Sequence, residues 1–269
     1  MTSKVVLVGA GNMGFAMLAG WLDAGILTPD EIVVVEPSEA LRDRAAKRGV
    51  AVSSGPDGVS GQPQLVVLAV KPQLIKDIAA GYRGLAADGA TFLSIAAGTT
   101  IATLSGVLGG QTPIIRCMPN TPAAIGKGMM VTFANEHVSP ETAAFVERLL
   151  AASGEVATIP REELMDAVTA VSGSGPAYIF HFIEALAAAG VSVGLDPETA
   201  ALLARQTVYG AASLAFESGE DAGKLREQVT SPNGTTAAAL KVLMAKDGLT
   251  QLMTKAVLAA RDRGVELGK

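Results

Sequence analysis

The residues with the clearest chemical meaning form a glycine-rich loop near the start of the chain: Gly9, Ala10, Gly11, Asn12, Met13 and Gly14. This loop follows a short apolar run and opens a helical pattern. In that context the first glycine permits a tight turn, the second lets a pyrophosphate approach the backbone, and the third lets helix and strand pack closely. We therefore expect the loop to bind a nicotinamide dinucleotide, NADPH or NADH. A glycine turn without a ligand is the alternative.

An acidic residue, Glu36, follows the second predicted strand. A carboxylate at this position accepts hydrogen bonds from the hydroxyls of the adenosine ribose and repels a 2′-phosphate, which favours NADH. Ser38, Arg42 and Arg44 nevertheless offer nearby donors for a 2′-phosphate. The sequence thus leaves the cofactor preference open, and a solvated loop carboxylate is the alternative for Glu36.

Two further segments, 69–72 and 96–98, should face the same ligand, because they end neighbouring strands of a predicted parallel sheet. Their small residues would let the nicotinamide ring approach the backbone. Lys71 fits a phosphate ligand and a solvated loop lysine equally well. The predicted cofactor residues in these segments are Ala69, Val70, Lys71 and Pro72, followed by Ala96, Ala97 and Gly98.

A second group of polar residues lies in the loop after the sixth predicted strand, where Pro119 and Pro122 flank Asn120 and Thr121. Because proline fixes the backbone angle φ, this loop should form a rigid wall of the ligand crevice, with Asn120 as a substrate contact. The alternative is a connecting loop whose polar side chains serve only its own backbone.

The strongest motif of the C-terminal half is the hydroxyl-rich segment 230–236, which directly precedes a helical run at 237–243. Free backbone N–H groups, hydroxyl donors and the helix dipole together make a neutral cradle for a carboxylate. A plain N-cap, in which a Ser or Thr side chain satisfies the helix alone, is the alternative.

The pattern of elements around these motifs predicts an α/β fold. Apolar runs alternate with helical patterns up to residue 160, and they predict strands at 5–8, 32–35, 50–52, 65–70, 91–95, 114–117 and 155–159. Such alternation indicates a Rossmann domain with a doubly wound parallel sheet at 1–160. An all-helical substrate-binding and dimerisation domain follows at 161–269, with helix interruptions expected at 173–176, 194–197 and 231–234.

Composition excludes several classes of function. The 269 residues are 49% apolar, carry a net charge of −5 and contain no basic block, so neither nucleic acid nor a membrane is an expected partner. One cysteine and two histidines cannot form an internal disulfide or a structural zinc site, which favours the cytoplasm. We expect no targeting segment. Cys117 and His181 should lie in the core and His137 at the surface. The apolar helices should make the chain self-associate.

The motifs together resemble the pyrroline-5-carboxylate reductase family. The segments that carry the resemblance are VGAGNMG at 8–14, AVKP at 69–72, AAG at 96–98, RCMPNTP at 116–122, SGSGPAY at 172–178 and VTSPNGTTAAAL at 229–240. The resemblance implies that the chain reduces the cyclic imine 1-pyrroline-5-carboxylate to L-proline with hydride from NADPH or NADH. It also implies a homodimer, with a ring of dimers as a further step.

The same resemblance assigns roles in the C-terminal loop. Ser231, Thr235 and Thr236 become ligands of the substrate carboxylate, and the Thr236 hydroxyl becomes the catalytic group that hydrogen-bonds the ring nitrogen. Asn233 stands where glycine is commoner in the family, a mild departure because Asn tolerates left-handed backbone angles. A protonated imine is already electrophilic, so holding it near the nicotinamide and excluding water supplies most of the catalysis.

Two other functions stay open at the level of the sequence. One is another Rossmann-type imine or 3-hydroxyacid reductase. The hydroxyacid enzyme would need a glycine-rich helix start leading to a proton-donating lysine, and no lysine after residue 160 is preceded by such a pattern. The other is a dinucleotide-binding sensor without turnover, against which only the segment 230–236 argues.

Overall fold

The computed structural model describes residues 3–268. Its strands are β1 (Val5–Val8), β2 (Ile32–Val35), β3 (Ala51–Ser53), β4 (Leu65–Leu68), β5 (Thr91–Ser94), β6 (Ile114–Met118), β7 (Gly128–Ala134) and β8 (Gly154–Thr158). Its α-helices are α1 (Asn12–Asp23), α2 (Glu39–Ala46), α3 (Ile75–Ala80), α4 (Arg83–Ala87), α5 (Ile101–Leu108), α6 (Pro140–Ala151), α7 (Met165–Val168), α8 (Gly175–Ser192), α9 (Pro197–Ser218), α10 (Ala222–Gln228), α11 (Thr235–Leu243) and α12 (Leu249–Leu267).

The strands form one sheet of order β3-β2-β1-β4-β5-β6-β7-β8. Its pairs are parallel except for β6 with β7, so the carboxyl ends of β1, β2, β4, β5 and β6 lie along one edge. The predicted α/β class and the doubly wound sheet are confirmed. The antiparallel strand β7 is missing from the sequence prediction, and it places β8 beside β7 at the edge of the sheet.

Alternate side chains of the central strands point to opposite faces of the sheet. Val5 and Leu7 pack in one buried cluster with residues of α1 and α6, whereas Val6 and Val8 pack in the other with residues of α3 and α5. Both faces are covered, which is why these strands are uninterrupted apolar runs. Trp21 is fully buried, and its indole N–H donates to the Leu149 carbonyl at 3.0 Å.

The chain divides into two compact units. The first contains the chain up to Ser174 together with the segment from Ala260 onward, and the second is Gly175–Ala259. The buried Arg116 donates to Glu162 at 2.6 Å, and the Ile101 N–H donates to the same carboxylate oxygen at 2.8 Å. These bonds attach the segment after β8 to β6 and to the start of α5. A domain boundary after residue 160 stays a prediction, since the compact units divide the chain at Ser174.

The predicted helix interruption at 173–176 takes another form in the structure. Residues Thr169–Gly173 form a π-helical segment after α7, and α8 begins at Gly175. The wide turn brings Gly173 against the Met118 side chain, where a Cβ atom would overlap the methionine methyl group. Gly173 therefore permits close packing against Met118, whereas a Cβ atom on Gly175 would meet no atom within 4 Å. Within residues 3–268 no helix has the length and apolar character needed to span a membrane.

Candidate functional site

The glycine loop lies between β1 and α1, at the edge of the sheet formed by the strands' carboxyl ends. Gly9 has a φ of +96°. A Cβ atom on Gly9 would overlap the Ala69 carbonyl oxygen, and one on Gly14 would overlap the Gly9 carbonyl oxygen. A Cβ atom on Gly11, by contrast, would meet no atom within 4 Å. Two glycines thus permit internal packing, while the third leaves one side of the loop open.

The start of α1 offers free hydrogen-bond donors beside this open side. Gly11 is the N-cap residue, no side chain caps the helix, and the first intrahelical bond runs from the Phe15 N–H to the Gly11 carbonyl. The N–H groups of Asn12, Met13 and Gly14 precede that bond, so they have no intrahelical acceptor. Free donors at the positive end of a helix dipole suit a pyrophosphate.

Glu36 is only 7% exposed, and it contacts the glycine loop directly. One carboxylate oxygen accepts from the Ala10 N–H at 2.8 Å, and the other accepts from the Ser38 N–H at 3.0 Å. The side chain therefore ties the end of β2 to the loop after β1. A solvated loop carboxylate, the alternative considered from the sequence, is not what the structure contains.

The two arginines nearest Glu36 donate to backbone carbonyl groups. Arg44 donates to the carbonyls of Ala10 and Gly11 and lies 4.0 Å from the centre of the Phe15 ring. Arg42 donates to the carbonyls of Glu36 and Pro37. Arg44 thus supports the glycine loop, whereas Arg42 supports the backbone that follows β2.

The segment after β4 lies beside the glycine loop, and the segment after β5 follows the strand that pairs with β4. Ala69 and Val70 are the nearest neighbours of Gly9. A cavity of about 400 Å³ lies within the first compact unit. The predicted cofactor residues that line it are Pro72, Ala97 and Gly98. Lys71 is exposed, and Ala96 is buried.

Asn120 is engaged on both sides of its side-chain amide. Its oxygen accepts from the Met129 N–H at 2.9 Å, and its nitrogen donates to the Ser172 carbonyl at 3.2 Å. The residue thus joins the loop after β6 to the start of β7 and to the π-helical segment. Its predicted contact with substrate stays a prediction. Sequence reasoning missed Ser172 as its partner, although both residues lie in motifs singled out from the sequence.

The segment 229–236 lies in the second compact unit, where it follows α10 and includes the first two residues of α11. The Gly234 N–H donates to the Ser231 carbonyl at 3.0 Å, and Asn233 has a φ of +60°. Pro232 followed by a residue with positive φ is the signature of a type II turn. Asn233 is the one non-glycine residue with positive φ in the part of the chain that the structure describes. Its conformation is therefore the left-handed one in which glycine is commoner.

The N-cap residue of α11 is Gly234, and no side chain caps this helix. The alternative of a plain N-cap by Ser or Thr is therefore wrong. Thr235 and Thr236 occupy the first two helical positions, where their N–H groups have no intrahelical acceptor. Ser231 and Thr235 are exposed, and Thr236 is half-buried. The helix start thus presents backbone donors and hydroxyl groups together, as a carboxylate cradle requires.

The single cysteine and the two histidines are not among these groups. Burial raises the pKa of Cys117 to about 12, so this thiol is neutral and unreactive at pH 7. His137 is mostly shielded and lies 3.7 Å from Glu136. The expectation that His181 is a core residue is wrong for the single chain, because its side chain is 81% exposed and pairs with Glu184 on the surface of α8.

Known proteins match this chain along its whole length. A family model described as pyrroline-5-carboxylate reductase dimerisation matches residues 162–267, and one described as NADP oxidoreductase, coenzyme F420-dependent, matches residues 4–98. The pyrroline-5-carboxylate reductase of Synechocystis sp. is 41% identical over 100% of both chains. That of Methanosarcina acetivorans is 37% identical over 99% of this chain and 98% of its own. The chain belongs to the pyrroline-5-carboxylate reductase family.

Solved structures of the family have the same fold. The pyrroline-5-carboxylate reductase of Coxiella burnetii superposes with a TM-score of 0.94, with 37% identity and 100% coverage of both chains. The Plasmodium falciparum enzyme, solved with NADP bound, gives a TM-score of 0.85 with 28% identity over 99% of this chain and 98% of its own. The family suggested by the sequence motifs is thereby confirmed.

Proposed function

We propose that this chain catalyses the NAD(P)H-dependent reduction of 1-pyrroline-5-carboxylate to L-proline, the last step of proline biosynthesis. Membership of the family supports the reaction. The observation that carries the assignment of the site is the uncapped start of α11, where a rigid Ser231–Gly234 turn precedes two threonines. An anionic substrate with a carboxylate beside its imine matches those donors.

The nicotinamide dinucleotide fits the first compact unit. The open side of Gly11 and the free N–H groups of α1 would hold its pyrophosphate, and Glu36 would lie near its adenosine ribose. Ala69, Val70, Lys71 and Pro72, with Ala96, Ala97 and Gly98, would border the nicotinamide half. When bound, the reduced nicotinamide supplies the hydride.

The residues of the C-terminal loop would hold and orient the substrate. Ser231, Thr235 and Thr236 would bind its carboxylate, and the Thr236 hydroxyl would hydrogen-bond the ring nitrogen. Because the protonated imine already carries positive charge, this arrangement needs no strong acid close to the carbon that accepts hydride. Asn120 would contribute to the substrate side of the site by fixing the loop after β6 against Ser172.

The active form is proposed to be a homodimer. Within Gly175–Ala259, the only described apolar residues that reach full burial are the small Ala200 and Ala204. Large side chains such as Phe180, Tyr209 and Phe216 are exposed in the single chain. A second copy that covers them would remove this apolar surface from water, as the dimerisation model suggests. A ring of dimers stays a prediction.

We also propose a cytoplasmic location and domains at 1–160 and 161–269. The single cysteine is a free, buried thiol, which suits a reducing compartment. The family model for the dimerisation region begins at residue 162, close to the proposed boundary.

The test of the function follows absorbance in the reduced-nicotinamide band after pyrroline-5-carboxylate is added to the purified chain. We expect oxidation of NADH or NADPH with stoichiometric formation of proline. A 3-ketoacid serves as the control substrate, and it should not be reduced. If neither dinucleotide is oxidised with the imine, the chain is a sensor or another kind of protein. Preferential reduction of the ketoacid would favour the hydroxyacid alternative.

A further inference from the structure

The position of the Glu36 carboxylate bears on which dinucleotide the chain binds. Glu36 directly follows β2, and its N–H donates to the Ser53 carbonyl of β3 at 2.9 Å. The neighbouring β1 leads into Gly9, whose N–H donates to the Val35 carbonyl at 2.8 Å. The backbone on both sides of the carboxylate is therefore held by the sheet. In a Rossmann fold the adenosine ribose lies at this end of the second strand.

The side chain is fixed as firmly as the backbone. The Ala10 and Ser38 N–H groups each occupy one carboxylate oxygen, at 2.8 Å and 3.0 Å. A carboxylate has about four acceptor positions, so roughly two remain for the 2′ and 3′ hydroxyls of a ribose. The negative charge is consequently in place before any ligand arrives, and its remaining lone pairs suit donors only.

No ion pair among residues 3–268 neutralises Glu36, because both of its bonded partners are neutral backbone groups. Arg44 and Arg42 lie near, but their guanidinium groups donate to the carbonyls of the glycine loop and of residues 36–37. Recruiting Arg44 to a 2′-phosphate would break its bonds to the glycine loop, and recruiting Arg42 would break its bonds to the backbone of residues 36–37. Such a phosphate carries nearly two negative charges at pH 7 and would meet a shielded carboxylate.

We propose that Glu36 makes this chain selective for NADH over NADPH. The proposal rests on the proposed reductase function and names its dinucleotide. It separates this chain from its Plasmodium falciparum relative, whose structure holds NADP. The selectivity comes from charge at the ribose, and the contacts with the Ala10 and Ser38 N–H groups hold that charge in place.

The primary experiment is isothermal titration of the purified wild-type chain with NADH and with NADPH, in the absence of substrate. We expect NADH to bind at least about tenfold more tightly than NADPH. The repulsion between like charges a few ångströms apart in a shielded site lowers affinity by about this factor or more. Equal affinities, or tighter binding of NADPH, would overturn the proposal. Either result leaves turnover with pyrroline-5-carboxylate unaffected, so failure of the inference is distinguishable from failure of the function.

Three variants then assign the cause. Glu36→Gln removes the charge at nearly constant shape, and it should reduce the NADH-to-NADPH affinity ratio by about tenfold, mainly through tighter binding of NADPH. Glu36→Asp keeps the charge and the local bond to the Ser38 N–H but is too short to reach Ala10, and it should keep NADH preference. Glu39→Gln, in the exposed first turn of α2, is the matched control and should change the ratio by less than about twofold.

The variants separate charge from loop support. If Glu36→Asp loses selectivity while Glu36→Gln keeps it, the contact with Ala10 rather than the charge determines the selectivity, and the proposal is overturned. Should Glu36→Gln fail to fold, as judged by circular dichroism, the comparison of wild type with Glu36→Asp still decides. The proposal then requires NADH preference in both proteins and is contradicted by its loss in Glu36→Asp.

Discussion

Gly11→Ala tests the role of the glycine loop most cleanly, because Gly11 is the glycine with open space beside it. Its backbone angles, φ −62° and ψ −167°, are accessible to alanine, and the added methyl group would meet no atom within 4 Å. Losing glycine at the N-cap costs a fraction of a kcal/mol, whereas a less flexible unfolded chain offsets that cost. The free energy of unfolding should therefore change by less than about 1 kcal/mol.

Dinucleotide binding should nevertheless weaken strongly in Gly11→Ala. The methyl group occupies the space through which a pyrophosphate would reach the N–H groups of α1. Losing one hydrogen bond to a charged group costs about 1.5–3 kcal/mol, which corresponds to roughly a 10- to 150-fold increase in Kd. The assay combines denaturant unfolding of the ligand-free protein with calorimetric titration of NADH.

Gly14→Ala is the matched comparison, since its methyl group would overlap the Gly9 carbonyl oxygen. Overpacking of this kind should lower the free energy of unfolding by about 1–3 kcal/mol even without ligand. The two variants should thus separate binding from stability. Wild-type affinity for NADH in Gly11→Ala would refute the assignment of the loop and leave it a glycine turn without a ligand.

Three further predictions concern the substrate loop, the attachment of the segment after β8 and the buried thiol. Thr236→Ala should lower kcat/KM roughly 10-fold or more with little change in NADH affinity, and Thr236→Ser should restore much of the loss; equal weakening of NADH binding would contradict the assignment. Glu162→Gln leaves the buried Arg116 without its ionic partner, so chemical denaturation should show a loss of about 2–4 kcal/mol, and an unchanged midpoint would argue against the pair. Burial raises the pKa of Cys117 from 9.0 to about 12. The neutral thiol's contribution to the free energy of unfolding is therefore complete below pH 9 and is lost as the pH rises through 12. Cys117→Ala should flatten this loss of stability in unfolding curves measured at alkaline pH. An identical loss in the wild type and the variant would refute the prediction.

The sheet was largely predictable because strands buried on both faces are continuous Val, Ile and Leu runs. β7 escaped because it begins with Gly128 and two methionines, which carry little strand preference, although Val131, Thr132 and Phe133 were a usable signal. Its direction depends on pairing with β6, and no local pattern encodes that pairing.

The candidate site was predictable at the level of motifs but not of bonds. Gly9 and Gly14 carry backbone requirements that a spacing of glycines reveals. Which partner Glu36 or Asn120 chooses depends on side-chain rotamers and on segments distant in the chain. The uncapped start of α11 was equally hidden, because a sequence rich in Ser and Thr predicts side-chain capping as readily as an open donor group.

Transfer of a labelled hydride tests the central claim most directly. The purified chain is incubated with pyrroline-5-carboxylate and reduced dinucleotide that carries deuterium at C4 of the nicotinamide, in the position that is transferred. We expect L-proline with a single deuterium on the δ-carbon, detected by mass spectrometry and NMR. Proline without the label, or no proline with either dinucleotide deuterated at either face, would contradict it.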